Sequence, residues 1–384
     1  VDLLGFVRAS FDDRARVSAC ESFTLSVAGR RIDVRSSSAR LTEAVQGAMG
    51  HLATPPSGAP DLELLLFDGV DPGHIPWRRH ARSVLVRGDV DHDLGPELRL
   101  SFSTESGLAQ LIDRSAGLAA AWLETGGELA PWERAAPLRN LWSEWVCAQG
   151  GVLVHGAAVA RGSNCLLLTG AGGSGKSTTA LAAALEGWGY LGDDFLVVSF
   201  DLQGPWVASL YRSAKLGSEA LHQPLLDRLA TRLRLPGDGK KHCLLLGAPE
   251  IRLQHQARCS ALVLPKHGSP DAPGRASDRT SRSKGRYTAT WHAAPPTEVQ
   301  RALAPSSLFL TAGPHGPRFQ RLAALARSVP GWELDLSRDH ATNVAQLGDL
   351  LAESASAPHG ALPGEGRSAG MHPPGRGSAE LPLE

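Results

Sequence analysis

Cys165-Leu166-Leu167-Leu168-Thr169-Gly170-Ala171-Gly172-Gly173-Ser174-Gly175-Lys176-Ser177-Thr178 decides the reading of this chain. Cys165 to Thr169 is a continuous apolar run, as expected of a strand buried on both faces. Ser177 to Trp188 is Ala-rich and reads as a helix, with Gly189 ending it. Between them, Gly170 to Ser177 fits the pattern G-x-x-x-x-G-K-[ST]. Glycines let successive backbone N–H groups turn inward around phosphate oxygens, and the helix N-terminus adds partial positive charge. Lys176 is then placed to reach the β- and γ-phosphates of ATP, and the Ser177 hydroxyl to ligate Mg²⁺. The expected nucleotide contacts are Gly170, Ala171, Gly172, Gly173, Ser174, Gly175, Lys176, Ser177 and Thr178. A glycine-rich strand-to-helix turn with a solvated lysine is the plainer alternative. The apolar strand before the motif and the helix after it favour the phosphate cradle.

Gly192-Asp193-Asp194 follows, seventeen and eighteen residues beyond Lys176, on the approach to a strand over Leu196 to Phe200. One helix and a return turn account for that spacing. Asp193 is assigned to the Mg²⁺ that Ser177 also holds, and a second carboxylate one residue on can accept a proton from an attacking hydroxyl. Aspartates also punctuate turns, and only the nearby cradle favours function. His155, in Val154-His155-Gly156, sits on a strand expected to neighbour the one entering the cradle, which can bring its imidazole towards the γ-phosphate.

These three features together resemble the C-terminal catalytic domain of HPr kinase/phosphorylase and its wider group of serine kinases. That family has a His-Gly pair, a hairpin, a cradle of the form G-x-S-G-x-G-K-S and an Asp-Asp pair after the next helix. His155-Gly156, Gly170 to Ser177 and Asp193-Asp194 match in order and spacing, over about an eighth of the chain. The resemblance implies a P-loop kinase domain related to ATP-type phosphoenolpyruvate carboxykinases, ATP-dependent transfer to a serine hydroxyl, and a homo-oligomer. It implies His155, Lys176 and Asp194 as active-site residues, Asp194 as the base, and Ser177 as a Mg²⁺ ligand. Gly172 stands where the family has Ser. The E-x-R-G-x-G signature, which supplies another metal-binding Glu, is missing; Glu250-Ile251-Arg252 is the nearest fragment and Glu219 another acidic candidate. No motif for phosphorylase activity is present. The first 145 residues do not resemble the family's regulatory domain, so the acceptor is expected to be a protein or peptide other than HPr. Ribosomal peptide precursors, the substrates of related stand-alone kinases, are one such class.

The division expected is a small α/β domain over 1–145, the ATP-binding catalytic domain over 146–354 and a disordered tail over 355–384. In the first, Phe23 to Val27 and Arg31 to Arg35 alternate around Gly29 as a hairpin. Ser37 or Ser38 caps a helix carrying Leu41, Ala44, Val45, Ala48 and Leu52. Asp61 to Phe67, Ser83 to Arg87 and Leu98 to Phe102 read as strands, Leu108 to Leu123 as a helix, and Leu138 to Val146 as another. In the second, Val152 to Val154 and Ala157 to Ala160 read as strands, and Phe319 to Ala326 and Val344 to Leu351 as helices. Positions 267–287 read as a flexible surface insertion. The pattern as a whole is α/β.

Apolar residues are 42% and charged residues 20% of the chain, with 39 basic against 39 acidic, so bulk attraction to nucleic acid or acidic membranes is not expected. Five scattered cysteines without a C-x-x-C pair argue against a disulfide scaffold or structural zinc. With no apolar run long enough to span a bilayer and no signal-peptide pattern at the start, a cytoplasmic location is expected. Lysine is rare: besides Lys176 there are Lys215, Lys240, Lys241, Lys266 and Lys284. Lys215 and Lys241 read either as contacts to nucleotide or acceptor or as surface charge, and the basic Arg275 to Arg286 stretch as a solvated loop. Two rivals to the serine kinase stay open: a small-molecule kinase, which the same site would serve, and a nucleotide-dependent regulatory protein with little catalysis, suggested by the missing Glu signature.

Overall fold

Asp2 opens the chain's first helix, α1 (Leu3–Val17), its carboxylate accepting from Gly5 N at 2.8 Å. β1 (Glu21–Val27) and β2 (Arg30–Ser36) follow as the expected hairpin, with Ala28 and Gly29 both at positive φ, the conformation that a two-residue turn requires. Ser38 Oγ accepts from Leu41 N at 3.2 Å and starts α2 (Ala39–Met49), whose Leu41, Val45 and Ala48 are buried. This computed structural model describes residues 2–71, 83–84, 89–217, 234–235, 241–247, 251–267 and 290–356.

β3 (Leu62–Val70), β4 (Ser83–Val84), β5 (Asp89–Asp93), β6 (Leu98–Ser103), β7 (Leu108–Asp113) and β8 (Leu118–Glu124) complete an eight-stranded sheet, ordered β1-β2-β3-β8-β7-β6-β5-β4. β2, β3 and β8 run parallel, the remaining pairs antiparallel. The helix expected over Leu108 to Leu123 is instead the β7–β8 hairpin. Every residue of both strands is buried, so no period-2 alternation marks them, and the alanines at 119–121 imitate a helix. What turns the chain is Asp113, whose Oδ1 accepts from Ser115 Oγ and Ala116 N at 2.6 and 2.9 Å, with Gly117 at φ 58°.

α3 (Pro131–Ala135) and α4 (Arg139–Ala148) lead to a second sheet. Its strands are β9 (Val152–His155), β10 (Ala157–Arg161), β11 (Asn164–Leu168), β12 (Gly189–Gly192), β13 (Phe195–Asp201) and β14 (Gly204–Ala208), joined later by β18 to β20. The Ala-rich helix α5 (Lys176–Leu185) follows β11. It ends at Gly187, at φ 87°, with Trp188 N bonded to Ala183 O and Gly187 N to Ala184 O; Gly189 belongs to β12. β15 (Ser213–Gly217), β16 (Arg234–Leu235) and β17 (Lys241–Leu245) form a small third sheet. β18 (Gln256–His267), β19 (Thr290–Ala294), α6 (Pro296–Phe309), α7 (His315–Ser328), β20 (Gly331–Leu336) and α8 (His340–Ser356) complete the described chain.

The second sheet is ordered β12-β10-β11-β18-β14-β13-β9, with β20 beside β18 and β19 beside β20. β11, β18 and β20 are parallel, so their C-terminal ends meet at one edge. α5 and α8 cover one face through Ala180, Leu181, Val344, Leu347 and Leu350; α6 and α7 cover the other through Val299, Leu303, Leu322 and Leu325. α2 and α4 lie between the two large sheets: Trp142 and Trp145 share one core with Leu64 and Ala121 of the first and Phe195 and Val197 of the second. The 145/146 boundary therefore falls inside a helix whose side chains serve both sheets. The fold is mixed α/β with mixed sheets. No described helix is long and apolar enough to cross a membrane. Residues 268–287 of the expected insertion, and 357–384 of the expected tail, lie outside the described residues; 267 ends β18, and 355 and 356 end α8.

Candidate functional site

A cleft of about 690 Å³ opens where β11 hands over to α5. Gly172 to Thr178 line it, and so do His155, Asp193, Asp194 and Lys215. Gly170 and Ala171 do not; their carbonyls accept from the Lys176 ammonium at 2.8 and 2.9 Å, which folds that side chain back along the loop. Gly175 sits at φ 97°, a conformation that residues with a side chain rarely adopt, and a Cβ there would lie 2.3 Å from Leu336 Cδ1, which would have to move aside. Gly172, by contrast, faces open space, so the serine that the HPr kinases carry at this position would fit. Ser174 Oγ is buried and has no hydrogen-bond partner.

His155 ends β9, directly opposite Phe195 in the β9–β13 pairing, and its ring meets the Phe195 edge at 5.4 Å. Its backbone N–H donates to Ser307 Oγ of α6 at 3.0 Å. Gly156 follows because a Cβ there would meet Leu168 O at 2.6 Å, just before the loop. Sterics therefore require the glycine of the His-Gly pair. Asp194 sits at φ 74°, a left-handed conformation unusual for a residue with a side chain. Phe195 N bonds back to Asp193 O at 3.0 Å and Gly156 N to Asp194 O at 3.1 Å, so the turn is pinned on both sides.

The two carboxylates do different work. Asp193 Oδ1 accepts from Ser177 Oγ and Oδ2 from Lys215 N, each at 2.9 Å. Burial, together with the charge of Asp194, pushes its carboxyl up from the ordinary value despite those bonds. Burial would raise Asp194 as well, but the Lys215 ammonium against Oδ2 and the His155 Nε2–H, 3.2 Å from Oδ1, hold it well below the ordinary range. Environments that split two adjacent carboxyls in this way separate their roles. Asp194 is an ionised acceptor steadied by two cationic or donor groups; Asp193 is a buried oxygen donor beside a hydroxyl.

Ser177 Oγ and Asp193 Oδ1 are hard oxygen atoms side by side in the cleft, a pair that could hold Mg²⁺, which takes one or two protein groups and fills the rest with phosphate and water. Among the described residues no three His, Cys, Asp or Glu side chains group to hold a metal unaided.

Lys215, at the middle of β15, lines the cleft along with Lys176. Lys241 begins β17 opposite Gly217, and Lys240, Glu219, Glu250 and the Arg275 to Arg286 stretch lie outside the described residues. Sequence reading missed the far wall: His267, Leu336, Ser337, Arg338, His340 and Asn343 also line the cleft. They carry no motif; their only sequence signal is position just after apolar strands, at the C-terminal ends of β18 and β20. Neither a scan against protein-family models nor a search of curated proteins gives a match for this chain.

Proposed function

We propose that the chain is an ATP-dependent serine kinase of the HPr kinase-like, P-loop kind, transferring the γ-phosphoryl group of ATP to a serine hydroxyl of a protein or peptide. One observation carries this reading: His155, the Gly172 to Thr178 loop, Asp193 and Asp194, far apart in sequence, line a single cleft.

The loop amides and Lys176 hold the β- and γ-phosphates, Lys176 exchanging its present carbonyl partners for phosphate oxygens. Ser177 and Asp193 would hold Mg²⁺, which supplies charge neutralisation along the phosphates. The acceptor oxygen bonds to the γ-phosphorus, the bond from that phosphorus to the bridging oxygen breaks, and ADP leaves with the electron pair. The hydroxyl proton passes to Asp194. Its low basicity fits a late proton transfer, with Asp194 first orienting the hydroxyl, and positioning supplies most of the rate. His155 and Lys215 keep its carboxylate ionised and aimed.

The test is transfer of label from [γ-³²P]ATP to a panel of serine peptides and small hydroxyl compounds. Peptide labelling that is lost in both Lys176→Ala and Asp194→Asn is expected. Undiminished transfer in Asp194→Asn would remove the base assignment, and a small acceptor outpacing every peptide would replace the substrate class.

A further inference from the structure

The cleft has two ends. Asp193, Asp194, Lys215 and His155 lie on the β12–β13 side of the glycine loop; His267, Ser337, Arg338 and His340 lie on the other, at the ends of β18 and β20. At the end of β11 the two sets part: Asp193 and Asp194 directly follow β12 and His155 directly precedes Gly156 and β10, both strands on one side of β11, whereas β18 and β20 lie on its other side. The second wall touches the loop: His267 Nε2 donates to Gly173 O at 2.9 Å, and Leu336 closes on Gly175. If the γ-phosphate faces the carboxylates, as the proposed function requires, the nucleoside end of the donor must lie along this second wall.

Arg338 is exposed there and lines the cleft. The turn beneath it is tied to itself. Asn343 Oδ1 accepts from Ser337 N at 2.8 Å and Asn343 Nδ2 donates to Ser337 O at 2.9 Å. Asp339 N donates to Ser337 Oγ at 3.1 Å, and Ala341 N to Asp339 Oδ1 at 3.3 Å. Those backbone groups are therefore occupied and cannot read the edge of a base, whereas a planar guanidinium stacks on the face of any base. We propose that Arg338 is the platform for the base of the bound donor, and that the site takes nucleoside triphosphates with little regard to which base they carry. This inference rests on the nucleotide reading above.

The test is the affinity of the full chain, with Mg²⁺, for ATP, GTP and inorganic tripolyphosphate. Wild type is expected to bind ATP and GTP within about fivefold of each other, stacking being tolerant of base identity. Arg338→Ala should weaken both by about tenfold, a loss typical of a removed stacking platform, and leave tripolyphosphate unchanged. Arg338→Lys, which keeps the charge and loses the plane, should resemble Arg338→Ala. Equal weakening of tripolyphosphate would make Arg338 a phosphate ligand and overturn the assignment, as would unchanged nucleotide binding. A preference of about a hundredfold for one purine would overturn the relaxed selectivity, since it needs hydrogen-bonded readout. Wild type that binds tripolyphosphate but neither nucleotide refutes only this inference; wild type that binds none of the three removes the nucleotide reading beneath it.

Discussion

Lys215 offers the sharpest perturbation. Its side chain and that of Asp194 retain only 12% and 11% of their exposure, so the pair lies outside the regime of surface ion pairs, which contribute about 1 kcal/mol or less. Removing one partner of a buried pair costs about 3–5 kcal/mol, because the other charge is left uncompensated. His155 still bonds Asp194 at 3.2 Å, which places Lys215→Met near the lower end, at about 3 kcal/mol. In an Asp194→Asn background the same substitution strands no carboxylate and should cost about 1 kcal/mol, leaving a coupling of about 2 kcal/mol. Denaturant unfolding of the four proteins gives that coupling. The sign of its pH dependence follows from the depressed Asp194 carboxyl. A group whose folded value lies below its unfolded one contributes fully above the unfolded value and loses that contribution as pH falls through the folded one. The coupling should therefore be flat from about pH 5 to 8 and fade only in strong acid. In Lys215→Met, burial dominates at Asp194, its carboxyl rises, and the acid limb of transfer activity moves to higher pH. Additive costs, or a coupling that disappears between pH 5 and 8, would refute the pairing as the device that keeps Asp194 ionised.

Other expectations follow from single contacts. Gly175→Ala combines positive φ with a Cβ 2.3 Å from Leu336 Cδ1 and should weaken nucleotide binding several-fold, whereas Gly172→Ser, facing open space, should leave affinity within about twofold, both read by calorimetric titration. Ser307→Ala leaves the His155 N–H without its acceptor and should cost about 1 kcal/mol in denaturant unfolding while lowering kcat more than it raises the KM for ATP. Arg318, 1% exposed, donates to the Ser307, Leu308, Thr311 and Ala312 carbonyls at the end of α6. Arg318→Met should cost about 3 kcal/mol, measured in the same way, by stranding those acceptors beneath His155.

The cradle, the His-Gly pair and the twin aspartates were legible because each needs particular residue types at short spacing. Gly156 is held by sterics and Gly175 by its positive φ, constraints that sequence records directly. The β7–β8 hairpin was not legible, since strands buried on both faces lack alternation and the Ala119 to Ala121 run favours a helix on propensity alone. α1 was missed because its buried stripe is only Leu3, Val7 and Phe11. Lys215 stood out as a rare residue, but its partner depends on β15 lying beside the Asp193 turn, a tertiary fact. The far wall of the cleft depends on β18 and β20 running parallel to β11 from distant parts of the chain, and no local pattern encodes that register.

The most direct measurement is a crystal structure with Mg²⁺ and a non-hydrolysable ATP analogue. The account predicts the γ-phosphate on the Asp194 side of the loop, with a carboxylate oxygen and the acceptor position within about 3–3.5 Å of each other, and Lys176 moved from the Gly170 and Ala171 carbonyls onto phosphate. A triphosphate lying the other way, its terminal phosphate against Arg338 and its base over His155, would contradict it.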